Sequence, residues 1–143
     1  IRNFQMKKPI QVVLFDDHDH QIEFIQMTIA DTKDIELLAI FANYDMLETS
    51  IKQCINLAPD VVIIDANMNL EKVTYELIKA IPSSVMIALT IGDFRLEQIF
   101  LTNGGRYFIN KPMQSDDVRT TIRRAYRDFE PIREELKRRT STK

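Results

Sequence analysis

The chain has 143 residues but only one cysteine, three glycines and no tryptophan. Cys54 has no second cysteine with which to form an internal disulfide or a zinc site, and a reducing cytoplasm suits such a chain best. No apolar stretch approaches the about 18 residues of a membrane span, and no secretory signal segment is recognisable. The net charge of −2 argues weakly against a nucleic-acid surface. These absences disfavour a disulfide scaffold, a membrane protein and a cysteine-based zinc protein.

The composition is that of an ordinary globular domain, with 45% hydrophobic and 28% charged residues. A chain of this length forms one domain and buries about 68–70% of the surface that it exposes when unfolded. We expect an N-terminal extension at 1–9, the folded domain at 10–130, and a basic helical linker or tail at 131–143.

Short apolar runs alternate with segments of helical periodicity along the whole domain. The runs lie at 10–15, 35–42, 61–64, 85–89 and 107–109, and the helical segments at 22–29, 45–57, 73–81, 94–102 and from 115 onward. Aliphatic runs without polar alternation are typical of parallel strands that are buried on both faces. The alternation therefore predicts an α/β fold with a parallel sheet and right-handed crossovers.

Polar residues follow four of the five apolar runs. They are Asp16, Asp17, Asp65, Thr90 and Lys111. The carboxyl ends of parallel strands share one edge of an open sheet, and ligands bind at that edge. We therefore expect these five side chains to form one site.

The predicted site has the chemistry of phosphoryl transfer. Three carboxylates at close range repel each other by about 4 kcal/mol per pair at an effective dielectric constant near 20, and we expect a cation or a proton to relieve that repulsion. Oxygen ligands suit Mg²⁺, while an ammonium and a hydroxyl suit phosphate oxygens. Asp65 stands alone after the third run, which favours it as the nucleophile, and the adjacent Asp16 and Asp17 are better placed to bind metal.

Four segments together resemble the receiver domain of bacterial two-component response regulators. They lie at 12–18, 59–68, 88–90 and 104–112, and the resemblance extends over about 10–126. It implies a flavodoxin-like, doubly wound sheet of five parallel strands in the order 2-1-3-4-5, flanked by five helices; a receiver is itself a standard example of this topology.

The resemblance also implies roles for the site residues. Asp65 would accept a phosphoryl group from a histidine kinase or a phosphotransfer protein. Mg²⁺ would be bound by Asp16, Asp17, Asp65 and the backbone carbonyl of Asn67. Lys111 would contact the phosphoryl group.

A conformational switch is implied as well. Thr90 would sense the phosphoryl group, the aromatic ring of Phe108 would turn into the space that Thr90 vacates, and Pro112 would follow a cis peptide bond. The face formed by the fourth helix, fifth strand and fifth helix would change, and the fourth and fifth helices could mediate a homodimer.

The implied protein is a signalling phosphoacceptor that assists its own phosphotransfer and dephosphorylation, not an enzyme with an external substrate. We expect the chain to be a fragment of a longer regulator without membrane contact. DNA binding, and with it transcription regulation, would require a missing output domain.

Three alternatives remain. A phosphatase of the haloacid-dehalogenase type needs a second carboxylate two residues after Asp65, where Asn67 stands. A flavin- or nucleotide-binding domain needs a glycine-rich turn after the first strand, and the glycines lie elsewhere. A pseudo-receiver, acting as a phosphorylation-independent interaction or dimerisation module, is favoured by Asn69 and Ile91, which depart from the family pattern.

Two further expectations concern single elements. His18 and His20 are interpreted as exposed residues at a helix start rather than as metal ligands. The last helix carries apolar residues at heptad spacing from Val118 to Phe129 and beyond. We expect Pro131 to open a second short helix or a linker; the alternative is a helical connector that pairs with another copy.

Overall fold

Strands and helices alternate through residues 8–141, the part of the chain that the computed structural model describes. The strands are β1 (Ile10–Phe15), β2 (Ile35–Phe41), β3 (Val61–Asp65), β4 (Val85–Thr90) and β5 (Tyr107–Asn110). The helices are α1 (Asp19–Ala30), α2 (Leu47–Leu57), α3 (Leu70–Ala80), α4 (Phe94–Thr102) and α5 (Ser115–Ser141). Residues 1–7 of the predicted N-terminal extension and residues 142–143 of the predicted tail lie outside the described part.

The five strands form one parallel sheet in the order β2-β1-β3-β4-β5. This confirms the predicted doubly wound α/β fold with five helices. Because β1 and β3 are neighbours at the centre of the sheet, the residues that follow them lie side by side at its carboxyl edge.

Alternate strand residues pack into two apolar clusters on opposite faces of the sheet. Val12 and Leu14 of β1 join the cluster that faces α1 and α5, whereas Val13 and Phe15 join the one that faces α2, α3 and α4. All four side chains are fully buried. Burial on both faces explains why the strands read as continuous apolar runs.

Asn69 shapes the connection from β3 to α3. Its backbone is left-handed, with φ of 53°, a conformation that asparagine tolerates better than most residues. Its side-chain oxygen accepts a hydrogen bond from the backbone N–H of Lys72 and caps the helix. Helix α3 therefore begins at Leu70, three residues earlier than predicted.

The expected break at Pro131 is wrong, because α5 continues through this residue to Ser141. Proline removes one N–H donor from the helix. Two residues later, Arg133 donates a 2.8 Å hydrogen bond to the backbone carbonyl of Tyr126 and stacks over the Tyr126 ring at 4.1 Å. Ile132 packs against the cluster that faces α1 and α5. Packing of Ile132 on the domain and contacts within the helix thus support α5 where local propensity would interrupt it.

Among residues 8–141, no helix combines the length and the apolar composition that crossing a bilayer requires.

Candidate functional site

Two buried carboxylates lie at the carboxyl edge of the sheet, one after β1 and one at the end of β3. Asp16 and Asp65 are both 0% exposed. Asp17 follows Asp16 and is exposed to solvent. Buried carboxylates are rare unless they are paired or bind a cation. This edge therefore holds the concentration of negative charge that the sequence predicts.

Lys111 provides the direct counter-charge. Its Nζ lies 2.5 Å from Asp65 Oδ1, and its side chain is only 17% exposed. The backbone N–H of Lys111 donates to the carbonyl of Thr90, which fixes β5 beside β4 at this edge. The Lys111 ammonium therefore pairs directly with the buried Asp65 carboxylate.

Thr90 is the last residue of β4 and is 1% exposed. Asp65 is paired in the sheet with Leu89, so Thr90 lies one residue beyond the partner of Asp65. The Thr90 hydroxyl accepts a 3.1 Å hydrogen bond from the backbone N–H of Gly92. The hydroxyl proton is therefore left for another acceptor at the same edge.

Gln21, which the sequence analysis did not consider, links the two buried carboxylates. Its Nε2 lies 2.6 Å from Asp16 Oδ2 and 3.0 Å from Asp65 Oδ1. Both partners are acceptors, so the amide must present its NH₂ group to them. Gln21 is in the first turn of α1, four residues after Asp17, and this position at the start of a helix beside the sheet edge was the available signal.

His18 also belongs to the site. It is exposed at the start of α1, as predicted, and its ring contacts the aspartates. Its Nδ1 lies 2.9 Å from Asp16 Oδ1, 3.3 Å from Asp17 Oδ1 and 3.8 Å from Asp65 Oδ2. The hydrogen bond with Asp16 raises the pKa of His18 above its ordinary value, burial opposes that shift, and the charges of the three aspartates add to it. Sequence spacing alone did not show which way the ring points.

Backbone N–H groups complete the hydrogen bonding of the carboxylates. His18 donates its backbone N–H to Asp16 Oδ1 at 2.9 Å, and Asn67 donates its own to Asp65 Oδ2 at 2.9 Å. Together with Gln21 and Lys111, these donors reduce the repulsion between the carboxylates. A cation was expected to relieve that repulsion; the Lys111 ammonium contributes here, and neutral donors share the task.

The oxygen and nitrogen atoms at this edge could serve as ligands of a small divalent cation. Ligand atoms of Asp16, Asp17 and His18 all lie within 4.8 Å of one another, and the oxygens of Asp65 are adjacent through the Gln21 and His18 contacts. Carboxylate oxygens predominate, which suits Mg²⁺ better than a softer metal. The residues that hold charge at this edge could therefore hold such an ion once their present hydrogen-bond donors give way.

The residues assigned to a switch lie around this edge. Phe108 of β5 is half-buried, and its ring centroid lies 5.4 Å from that of Phe100 in an edge-on arrangement. The peptide bond between Lys111 and Pro112 is cis, as predicted. Ile91 is 79% exposed, so its side chain is not packed into the site.

No protein-family model and no curated protein matches this chain. Solved structures do match. The signal receiver domain of an HD-domain-containing protein from Pseudomonas fluorescens Pf-5 is 16% identical, with a TM-score of 0.79 over 94% of this chain and 98% of that one. The chain has the receiver-domain fold.

Two further structures agree with this assignment of the fold. The response regulator domain of Thermotoga maritima CheB is 22% identical, with a TM-score of 0.71 over 84% of this chain and 98% of that one. NtrX from Brucella abortus is 20% identical, with a TM-score of 0.76 over 94% of this chain but 30% of that one. The fold thus occurs both as a separate domain structure and as part of a longer chain.

Proposed function

We propose that this chain is a phosphoacceptor receiver domain in which Asp65 takes a phosphoryl group from a histidine kinase or a phosphotransfer protein. The main support for the proposal is the set of contacts that Asp65 makes. This aspartate ends the central strand, contacts the Lys111 ammonium at 2.5 Å and is joined to Asp16 through one amide. Similarity to receiver domains in fold supports the same function.

The proposed reaction is a transfer between two nucleophiles. A carboxylate oxygen of Asp65 forms a bond to phosphorus while the bond from phosphorus to the donor's histidine nitrogen breaks, and the nitrogen keeps the electron pair. Lys111 would hold one phosphoryl oxygen by its charge, and the Thr90 hydroxyl would donate to another. The protein contributes position and charge, as a signalling phosphoacceptor rather than as an enzyme with an external substrate.

The proposal includes a magnesium site formed by Asp16, Asp17, Asp65 and the backbone carbonyl of Asn67. A bound Mg²⁺ would neutralise part of the charge on the carboxylates and on the incoming phosphoryl oxygens. The two buried carboxylates and the exposed Asp17 supply the hard oxygen ligands that this ion prefers.

The output would pass through the face of α4, β5 and α5. Phosphorylation adds about −1.5 to −2 charges at one point, which would attract Thr90 and allow Phe108 to turn inward. The changed face would bind an output domain, a partner protein or a second copy. That NtrX holds this fold in a longer chain supports our proposal that residues 131–143 lead to such a domain.

A second candidate is a phosphorylation-independent interaction or dimerisation module. The observation that favours it is the closure of the site, since Asp65 is 0% exposed and both of its oxygens already accept hydrogen bonds. In this case the same residues would stabilise the fold rather than exchange a phosphoryl group.

Labelling with acetyl phosphate distinguishes the two candidates. Incubation with and without Mg²⁺, followed by intact mass measurement, should give a magnesium-dependent phosphoryl adduct on the unmodified chain. Asp65→Ala should abolish the adduct, whereas Asp17→Ala should raise the Mg²⁺ concentration that labelling requires. Asp31→Ala, which removes an exposed carboxylate at the end of α1, is the matched control and should label normally.

Each labelling result favours one of the two candidate functions. Full labelling of Asp65→Ala would show that Asp65 is not the acceptor. A folded chain that gives no adduct with acetyl phosphate or with a cognate phosphohistidine donor would support the second candidate.

A further inference from the structure

Gln21 occupies the space that a cation shared by Asp16 and Asp65 would need. Its amide nitrogen lies 2.6 Å from Asp16 Oδ2 and 3.0 Å from Asp65 Oδ1. Magnesium approaches its oxygen ligands to about 2.0–2.1 Å and accepts little distortion. The NH₂ group and the ion cannot both lie between the same two oxygens.

The contact is stronger than an ordinary surface hydrogen bond. Asp16 and Asp65 are both 0% exposed, and they follow neighbouring strands of the sheet. A hydrogen bond to an ionised, buried group is roughly twice as strong as one between neutral groups. Displacing the amide therefore removes the partner that the two buried carboxylates share, and a cation must take its place.

Gln21 also differs from the other donors at this edge. Lys111 contacts Asp65 Oδ1, and the backbone N–H groups of His18 and Asn67 contact Asp16 Oδ1 and Asp65 Oδ2. None of these joins Asp16 to Asp65, and the backbone donors are fixed by the chain. The His18 ring lies near both carboxylates, but its Nδ1 is 3.8 Å from Asp65 Oδ2, whereas the Gln21 amide is within hydrogen-bond distance of both. The Gln21 side chain has three rotatable bonds and is only half-buried, so it can turn away.

We infer that Gln21 is a positioning residue that stands in for the divalent cation and competes with it, so that it sets the affinity of the site for Mg²⁺. When the metal is absent, the amide holds the two carboxylates together. When the metal binds, the amide must leave. The inference rests on the proposed magnesium site and adds to it a specific antagonist within the chain.

Competition predicts two effects of opposite sign. Removing the amide donor lowers the stability of the metal-free protein, because the carboxylates lose a shared partner. The same change strengthens Mg²⁺ binding, because the ion no longer displaces anything. A residue that merely supported the local structure would weaken both properties when replaced.

Two substitutions at Gln21 and one control test this. Gln21→Met keeps the length of the side chain but has no donor. Gln21→Lys places an ammonium where the amide stands. Gln26→Met makes the same change at an exposed position of α1. The thermal midpoint is measured in EDTA, and the Mg²⁺ dissociation constant by calorimetric titration at one fixed pH.

Gln21→Met should lower the metal-free midpoint and tighten Mg²⁺ binding about tenfold, the effect of one charge-assisted hydrogen bond. Gln21→Lys should raise the midpoint and weaken Mg²⁺ binding by at least as much, and this variant keeps the test valid if Gln21→Met folds poorly. Gln26→Met should match the unmodified chain in both measurements.

Unchanged or weaker Mg²⁺ binding by Gln21→Met, alongside normal binding by the unmodified chain, would overturn this inference and leave the proposed function intact. Unchanged binding by Gln21→Lys would overturn it as well. If none of the proteins binds Mg²⁺, both the inference and the proposed magnesium site are wrong.

Discussion

The two ends of the parallel sheet satisfy their polar groups in different ways. At the amino end, Asp60 Oδ2 accepts the backbone N–H of Gln11 at 2.8 Å, and the Ser84 hydroxyl donates to the carbonyl of Pro59. At the carboxyl end, side chains also satisfy other side chains, since Gln21 and Lys111 both contact Asp65 in addition to the backbone N–H of Asn67.

This difference suggests that the amino end of the sheet serves the stability of the fold, whereas the carboxyl end can serve binding. Backbone groups cannot leave without unfolding the segment that carries them, so the amino end is a fixed assembly. Side-chain donors can rotate and be replaced by a ligand. The carboxyl end is therefore the place where binding can exchange one set of partners for another.

The largest expected effect is at the carboxyl end. Lys111→Met should lower the free energy of unfolding of the metal-free protein by about 3 kcal/mol, because it leaves the buried Asp65 carboxylate without its cation. Urea denaturation in EDTA measures the change. Saturating Mg²⁺ should recover part of the loss, since a cation replaces the ammonium.

Lys52→Met, at an exposed position of α2, is the matched control and should change stability little. Equal losses in the two variants would contradict the view that Lys111 compensates a buried charge.

A smaller effect is expected at the amino end. Asp60→Ala leaves the Gln11 N–H without its acceptor and should cost about 1–2 kcal/mol of stability. Asp60→Asn keeps an acceptor oxygen and should recover most of the loss. Chemical denaturation measures stability, and a titration measures Mg²⁺ affinity, which both variants should leave unchanged. An altered Mg²⁺ affinity would show that the two ends are coupled.

The smallest expected effect concerns an exposed ion pair near the amino end. Arg123 donates two 2.8 Å hydrogen bonds to Asp34, and this contact lowers the pKa of Asp34 below its ordinary value. A lowered pKa in the folded state stabilises the protein above the unfolded pKa, and this contribution is lost as the pH falls through the folded pKa.

The unmodified chain should therefore exceed Arg123→Gln by about 0.5 kcal/mol at pH 7, the scale of an exposed pair. The gap should close in acid and shrink in high salt. Urea midpoints across this pH range measure it, with Arg95→Gln, an exposed arginine of α4, as the control. A gap that persists after Asp34 is protonated would show that Arg123 acts through packing instead.

Most of the fold could be predicted from the sequence. Apolar runs such as 61–64, separated by segments of helical periodicity, indicate buried parallel strands. The resemblance to receivers supplied the strand order that the structure confirms. The break at Pro131 was wrong because local propensity ignores the packing of Ile132 on the domain and the contacts of Arg133 with Tyr126 earlier in the same helix. Helix α5 depends on those contacts.

The candidate site was predicted in part. Asp16, Asp65 and Lys111 follow strand ends, so parallel topology alone predicts that they lie at one edge, and the structure brings Lys111 to Asp65. Their roles in phosphoryl transfer stay predictions. Gln21 and His18 were not predicted as site residues. Their contacts with the aspartates depend on the direction of their side chains, which the spacing of residues in the sequence does not reveal.

The amino-acid pattern by itself determined which segments are strands, which ends of them carry charge and what chemistry that charge favours, because burial and backbone periodicity are local properties of the chain. Only the tertiary structure decided that an amide of α1 reaches a carboxylate 44 positions away in β3. That contact depends on how a helix packs against a sheet, where shifts of about an ångström separate a hydrogen bond from no contact at all.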